Sequence, residues 1–214
     1  MLLQNSWAMS AGGVAFPVFV GSAESSLSGA STTVSVNKPT GVADGDILLA
    51  LMVVGDVASP TWTGDTGFSE TGLFDQGANP GLRAAIKTAA SEGSSYTFTS
   101  SSSGELCAQV LAFRFAALEA SGSVVTRSGN GDLVLSGITA ALGWLVGAVG
   151  SGKQAARTHS TPSGMALELD TCNGSTFLTS YLEQVAAGST GTRTSTIGGG
   201  AGTAAGALIG IKGA

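Results

Sequence analysis

Few side chains in this sequence have the type and spacing to do chemistry. The run Gly147 to Gln154, GAVGSGKQ, carries the G-x-x-x-x-G-K spacing of a phosphate-binding loop. Such a loop needs Ser or Thr next, to hold magnesium, and a helix whose N-terminus faces the phosphates. Here the next residue is Gln154, and the chain continues as QAARTHSTPSG, with Pro162 and no apolar period. The segment therefore reads as a strand-ending turn. His159 is the single imidazole. A Ser-His-Asp device would need it, and Ser160 and Ser163 are near, but there is no G-x-S-x-G elbow. The polar run RTHSTPSG predicts a solvent-exposed ring, and a metal site on His159 lacks a second His or a Cys pair. Among the carboxylates, Asp44 and Asp46 flank Gly45, while Asp65, Glu70 and Asp75 fall in predicted loops. A pair across a cleft would suit glycoside hydrolysis. The oxygen-rich VADGD would suit weak calcium binding, but EF-hand spacing is absent. Asp-Gly turn formation explains Asp44 and Asp46 more simply. No catalytic residue, metal or cofactor is assigned.

Composition points the same way. Only 11% of the 214 residues are charged and 33 are glycine, so acids, bases and nucleophile partners are scarce and an enzyme is not expected. The net charge is −5 and the 9 Lys and Arg are spread singly, which leaves no basic stripe for a phosphate backbone. The first twenty residues hold no Lys or Arg, so no positive n-region of a secretory signal is read. The longest charge-free apolar stretch, Ile138 to Gly150, falls short of the ~18 residues that span a bilayer. The expectation is a soluble protein with no nucleic-acid or membrane partner. Cys107 and Cys172 read as two free, partly buried thiols, with a single disulfide between them as the alternative.

The elements that must carry these side chains are short apolar runs separated by turn residues, the pattern of a sandwich rather than of βαβ units. Val14 to Val20 holds Pro17 and reads as an edge strand or arm. Thr32 to Val36 alternates. Asp46 to Val54, DILLALMVV, is apolar on both faces and reads as a central strand. Residues 82–90 have helix propensity but lie between turns, and read as a strand. Tyr96 to Thr99 and Leu106 to Phe115 come next, the latter with Cys107, Leu111, Phe113 and Phe115 on its apolar face. Leu133 to Leu135, Leu142 to Val149, Met165 to Leu169, Thr176 to Val185, Thr192 to Ile197 and Ala204 to Ile211 complete the set. Leu118 to Gly122 reads as one short helical turn. Gly198 to Gly206 reads as a hairpin loop, or as an edge where glycine admits another backbone. Gly45 to Leu49 is echoed faintly by Gly131 to Leu135, which two separate strand entries would also produce. The predicted fold is an all-β, antiparallel, two-sheet β-sandwich, jelly-roll-like and with little helix: residues 1–13 form an N-terminal arm and residues 14–214 one domain.

Ser31 to Leu118 resembles a β-sandwich module of tailed-phage structural proteins. The likeness rests on the strand Val34-Ser35-Val36, then Pro39-Thr40-Gly41-Val42-Ala43-Asp44-Gly45-Asp46, then the apolar strand Ile47 to Val54. A Pro/Trp loop (Pro60-Thr61-Trp62), a strand with one basic residue (Ala84 to Lys87), Tyr96 to Thr99 and Ala112 to Arg114 continue it. The order after Trp62 departs from the module's usual Gly-Trp, so no binding site is carried over. The resemblance implies a non-enzymatic virion protein: a capsid decoration or cement protein, made in the host cytoplasm, set as a homotrimer against the major capsid protein. A tail-fibre or baseplate module that binds a receptor or glycan is the alternative, and a glycan-cleaving sandwich the weaker one. In the arm, Leu2, Leu3, Trp7 and Met9 would cost solubility if exposed. They are candidate partner contacts, or they pack on their own sandwich. Trp62 and Phe68, in TWTGDTGF, are candidate glycan contacts, or they cap the sandwich end.

Overall fold

The computed structural model describes residues 15–55, 60–63, 67–69, 75–76, 80–152, 158–173, 176–199 and 202–214, and these are antiparallel β-structure. The first half holds β1 (Val18–Asn37), β2 (Ile47–Val54), β3 (Trp62–Thr63), β4 (Asp75–Gln76), β5 (Gly81–Thr88) and β6 (Ser95–Arg114). They form one sheet in the order β1-β6-β2-β5-β4, with β3 on β6. The second half holds β7 (Ala116–Ser121), β8 (Val125–Ser128), β9 (Gly131–Leu135), β10 (Thr139–Ala140), β11 (Gly143–Gly152), β12 (Thr158–His159), β13 (Ala166–Asn173), β14 (Thr176–Val185), β15 (Gly188–Ser189), β16 (Arg193–Gly198) and β17 (Thr203–Gly213). Its main sheet runs β13-β14-β11-β17-β7, with β8 also on β17; β12-β16-β9 form a small sheet and β10-β15 a two-stranded one. The expected sandwich is present. A jelly roll alternates successive strands between its two sheets, whereas here each main sheet is drawn from one half of the chain.

Side-chain alternation explains why the central strands carry almost no polar residue. Leu49, Leu51 and Val53 of β2 face the core between the two main sheets, against Val146, Ala148, Ala207 and Ile209. Leu48, Ala50, Met52 and Val54 face the other way. They are covered because β1 and β6 are long and bend together. Their register slips between Leu27 and Thr33, and the distal halves bring Val34, Val36, Tyr96 and Phe98 over β2. On the far side, β9 and β16 cover β11 and β17 with Leu133, Leu135 and Ile197. Four layers thus enclose three cores.

The two halves repeat one plan. The order β1-β6-β2-β5-β4 has its counterpart in β7-β17-β11-β14-β13. The distal ends of β1 and β6 correspond to β9 and β16, and β3 on β6 corresponds to β12 on β16. The registers match: Ile47 pairs Phe113 as Trp144 pairs Ile211, and Trp62 pairs Ser100 as His159 pairs Ile197. The sequence echo joins other elements, because Gly45-Asp46 leads into β2 while Gly131-Asp132 opens β9.

Three local expectations are corrected. Residues 118–121 belong to strand β7, not to a helical turn. Residues 203–206 lie within β17, not in a loop. A Cβ on Gly206 would stand 2.6 Å from Leu135 Cδ2 and 2.8 Å from the Ala148 carbonyl oxygen, so the small residues there admit this chain's own neighbouring layers. Phe115 does not continue the buried face of β6: the strand ends at Arg114, and Phe115 is 58% exposed. Pro17 directly precedes β1, an edge strand, as a residue without an N–H donor should.

Candidate functional site

One end of the sandwich gathers features that packing alone does not require. The two halves are joined there by a single residue, Phe115, between β6 and β7. Its φ is 53°, a left-handed conformation that costs a bulky side chain on the order of 1 kcal/mol or more. The neighbouring strand ends meet at this junction. Ala214 N–H donates to the Phe115 carbonyl at 3.0 Å, and Val18 pairs with Arg114. Gly143, preceded by exposed Leu142, pairs with Lys212. A cleft of about 290 Å³ lies at the junction, lined by Asp44, Gly45, Asp46, Arg114, Phe115, Ala116 and Ala214. Val18, Phe115 and Leu142, at 49%, 58% and 55% exposure, are three of the five large apolar side chains exposed among the described residues. Phe16, just before β1, lies at this end too. Its ring stands edge-on to Trp144 at 6.2 Å, and Trp144 Nε1–H donates to the Pro17 carbonyl at 2.7 Å.

An ion pair braces the cleft floor. Arg114 donates through Nε and Nη2 to the two carboxylate oxygens of Asp46, each at 2.8 Å, and through Nη2 to the Gly41 carbonyl at 2.9 Å. Ala43 N–H donates to Asp46 at 2.9 Å, so Asp46 is both the turn former that the sequence implied and an anchor for the end of β6. Burial alone would raise the Asp46 pKa. The hydrogen bonds from Arg114 and Ala43 and the guanidinium charge outweigh it and hold the carboxyl below its ordinary value of 3.8. A carboxylate with a depressed folded pKa stabilises fully above its unfolded pKa and loses that contribution as pH falls through the folded value. Stability is therefore expected to fall below about pH 4. In Asp46→Asn the acid-dependent part should shrink and stability near neutral pH should drop. Urea unfolding of both proteins across that window measures the difference.

Most of the residues singled out in sequence sit elsewhere. Leu2, Leu3, Trp7 and Met9 of the arm, with Asp65 and Glu70, lie outside the described residues, as does the side chain of Asp75. Trp62 is 4% exposed within the outer core. Phe68 stands edge-on to Tyr96 and Phe98, at 5.6 and 5.3 Å. Both rings pack on the outer core, and the Trp62 indole offers no open face for stacking, while Phe68 stays half-buried. Gly147 to Gly152 are strand, so no phosphate loop forms there. Cys107 carries a buried thiol whose S–H donates to the Thr176 carbonyl at 3.4 Å, and the side chain of Cys172 lies outside the described residues.

His159 is half-buried rather than solvent-exposed, and it occupies the place in the second half that Trp62 holds in the first. Its Nδ1 lies 2.7 Å from Thr179 Oγ1, which donates to Asp170 at 3.1 Å, and its Nε2 lies 3.2 Å from Ser151 Oγ. Since the one Thr179 hydroxyl proton goes to Asp170, Nδ1 carries the proton shared with Thr179 and Nε2 accepts from Ser151 in the neutral ring. The order imitates a nucleophile–base–acid relay. Ser151 is 0% exposed and offers no approach to a substrate, so the chain acts as a polar network that runs from buried Ser151 and Thr179 through half-buried His159 to exposed Asp170. Sequence reasoning missed it because Ser151, Thr179 and Asp170 come from three strands. Phe115 was missed because only its backbone angle takes it off the apolar face.

The fold and this end define a multilayered antiparallel sandwich whose described residues expose Val18, Phe115 and Leu142 at one terminus, beside the Asp46–Arg114 pair. No family model, curated protein or solved structure matches the chain.

Proposed function

We propose that this chain is a non-enzymatic structural protein of a tailed-phage particle, a decoration or cement protein that attaches to the capsid by the Phe115 end. The observation that carries this reading is the concentration of exposed Val18, Phe115 and Leu142 at the end where the uncharged N-terminal segment leaves the sandwich. Contiguous apolar surface rimmed by polar groups marks contact with another protein. The module resemblance of residues 31–118 supplies the class of partner: the major capsid protein, with homotrimers as the assembly on its surface. In this reading Leu2, Leu3, Trp7 and Met9 join the contact.

The test is addition of the purified protein to heads that lack it. Saturable co-sedimentation with heads, weakened by Phe115→Ser and by deletion of residues 1–13, is expected. Binding to isolated tails or to host glycans, with none to heads, would move the protein to the receptor-binding class.

A further inference from the structure

We infer that one internal water is held between the two main sheets by Gln109 Oε1 and Ser180 Oγ. Both residues are 0% exposed, and neither atom has a hydrogen-bond partner among the described residues. Native cores leave few such atoms, and ordered water is the usual partner where the protein supplies none. Two observations bring these atoms to one place. Cys107 donates to the Thr176 carbonyl and Gln109 Nε2 to the Leu178 carbonyl, so β6 advances in step across β14. The Gln109 amide therefore lies beside Leu178 and Ser180, the two inward residues that flank that carbonyl. Its two Nε2 protons are engaged by Leu178 and Thr171, which turns Oε1 away from both. The second observation is the repeat of the halves. Leu51 pairs with Gln109 and Ala84 as Ala148 pairs with Ala207 and Ser180. Gln109 thus corresponds to Ala207, and Ser180 to Ala84. One side of the shared core faces alanine with alanine; the other faces a polar side chain with a polar side chain.

Two facing polar groups that do not bond each other require a third that satisfies both. Water fits: it donates to the amide oxygen and accepts from the hydroxyl or donates to it. A cation does not fit, because a buried charge needs a counter-charge and the carboxylate of this network, Glu24, is exposed. Ser180 lies beside Ala148 on the neighbouring strand, a small side chain that leaves room. The water is the inner part of a polar file that runs from exposed Glu24 through Thr171 and Gln109 to Ser180. The equivalent place between Ala84 and Ala207 is dry. The site stands independently of what the protein binds.

The experiment is a crystal structure of the full chain at a resolution that places solvent. One water peak within hydrogen-bond distance of both Gln109 Oε1 and Ser180 Oγ is expected, with none between Ala84 and Ala207. No peak there, or a direct bond from Ser180 to Gln109, would overturn the proposal. Urea unfolding supplies a second reading in solution. Ser180→Ala copies the residue at the equivalent position and should fold. It is expected to lower the urea midpoint of the parent, because Gln109 Oε1 loses its anchored partner. In the Gln109→Met background, where the water is already expelled, the same substitution should leave the midpoint unchanged or raise it. Equal losses in the two backgrounds would show that the two side chains share no water and would overturn the proposal.

Discussion

Gly143→Ala should lower the free energy of unfolding by about 3 kcal/mol, the upper part of the range for overpacking a tight core. A Cβ at this position would lie 2.1 Å from the Ile211 carbonyl oxygen and 3.0 Å from both the Ile211 carbonyl carbon and Lys212 Cα. All three are backbone atoms of β17, so no side chain can rotate away. β11 or β17 must shift, and both are central strands of the second sheet. Gly29→Ala is the control. It lies in the bend of β1 with nothing within 4 Å of the added carbon, and its effect should stay within about 0.5 kcal/mol. Chemical denaturation of the two variants beside the parent measures the contrast. Similar losses in both would show that β11 and β17 do not approach as described.

The second large effect is at Gln109, a polar side chain that is 0% exposed between the sheets. Its Nε2 donates to Thr171 Oγ1 and to the Leu178 carbonyl, each at 2.8 Å, and Thr171 donates onward to Glu24. With the bond from Ser22 to Glu168 at 2.7 Å, this network ties β1 and β6 to β13 and β14. Gln109→Ala should cost about 3 kcal/mol, because it removes two buried hydrogen bonds and leaves a void. Gln109→Met should cost less, about 1 kcal/mol. It refills the volume and removes the amide oxygen, which has no hydrogen-bond partner among the described residues. Urea unfolding of both variants reads the difference, and equal losses would mean that volume is irrelevant at this position.

Much of the fold is legible in local pattern. β2 shows its burial on both faces because ILLALMVV leaves no position for water, and turns on either side mark β5 as a strand despite its helix propensity. What pattern cannot show is what lies over each face. The outer layers depend on a bend shared by β1 and β6 and on the pairing of β9 with β16, contacts between residues far apart in sequence. Correspondence of the halves is hidden likewise, since equivalent positions hold different chemistry: Trp62 and His159, or Val54 and Ser151. Around the candidate site, Asp46 was readable as a turn former, but its partner Arg114 is 68 residues away. Phe115 looked like a core residue until its backbone angle placed it outside.

The acid limb expected from Asp46 concerns the end where the two halves join. Whether that end faces a capsid is answered most directly by copy number. The ratio of this chain to the major capsid protein in purified particles, by quantitative mass spectrometry, should be near one to one for a cement protein. A ratio of a few per hundred, or absence of the chain from the particles, would contradict the capsid account.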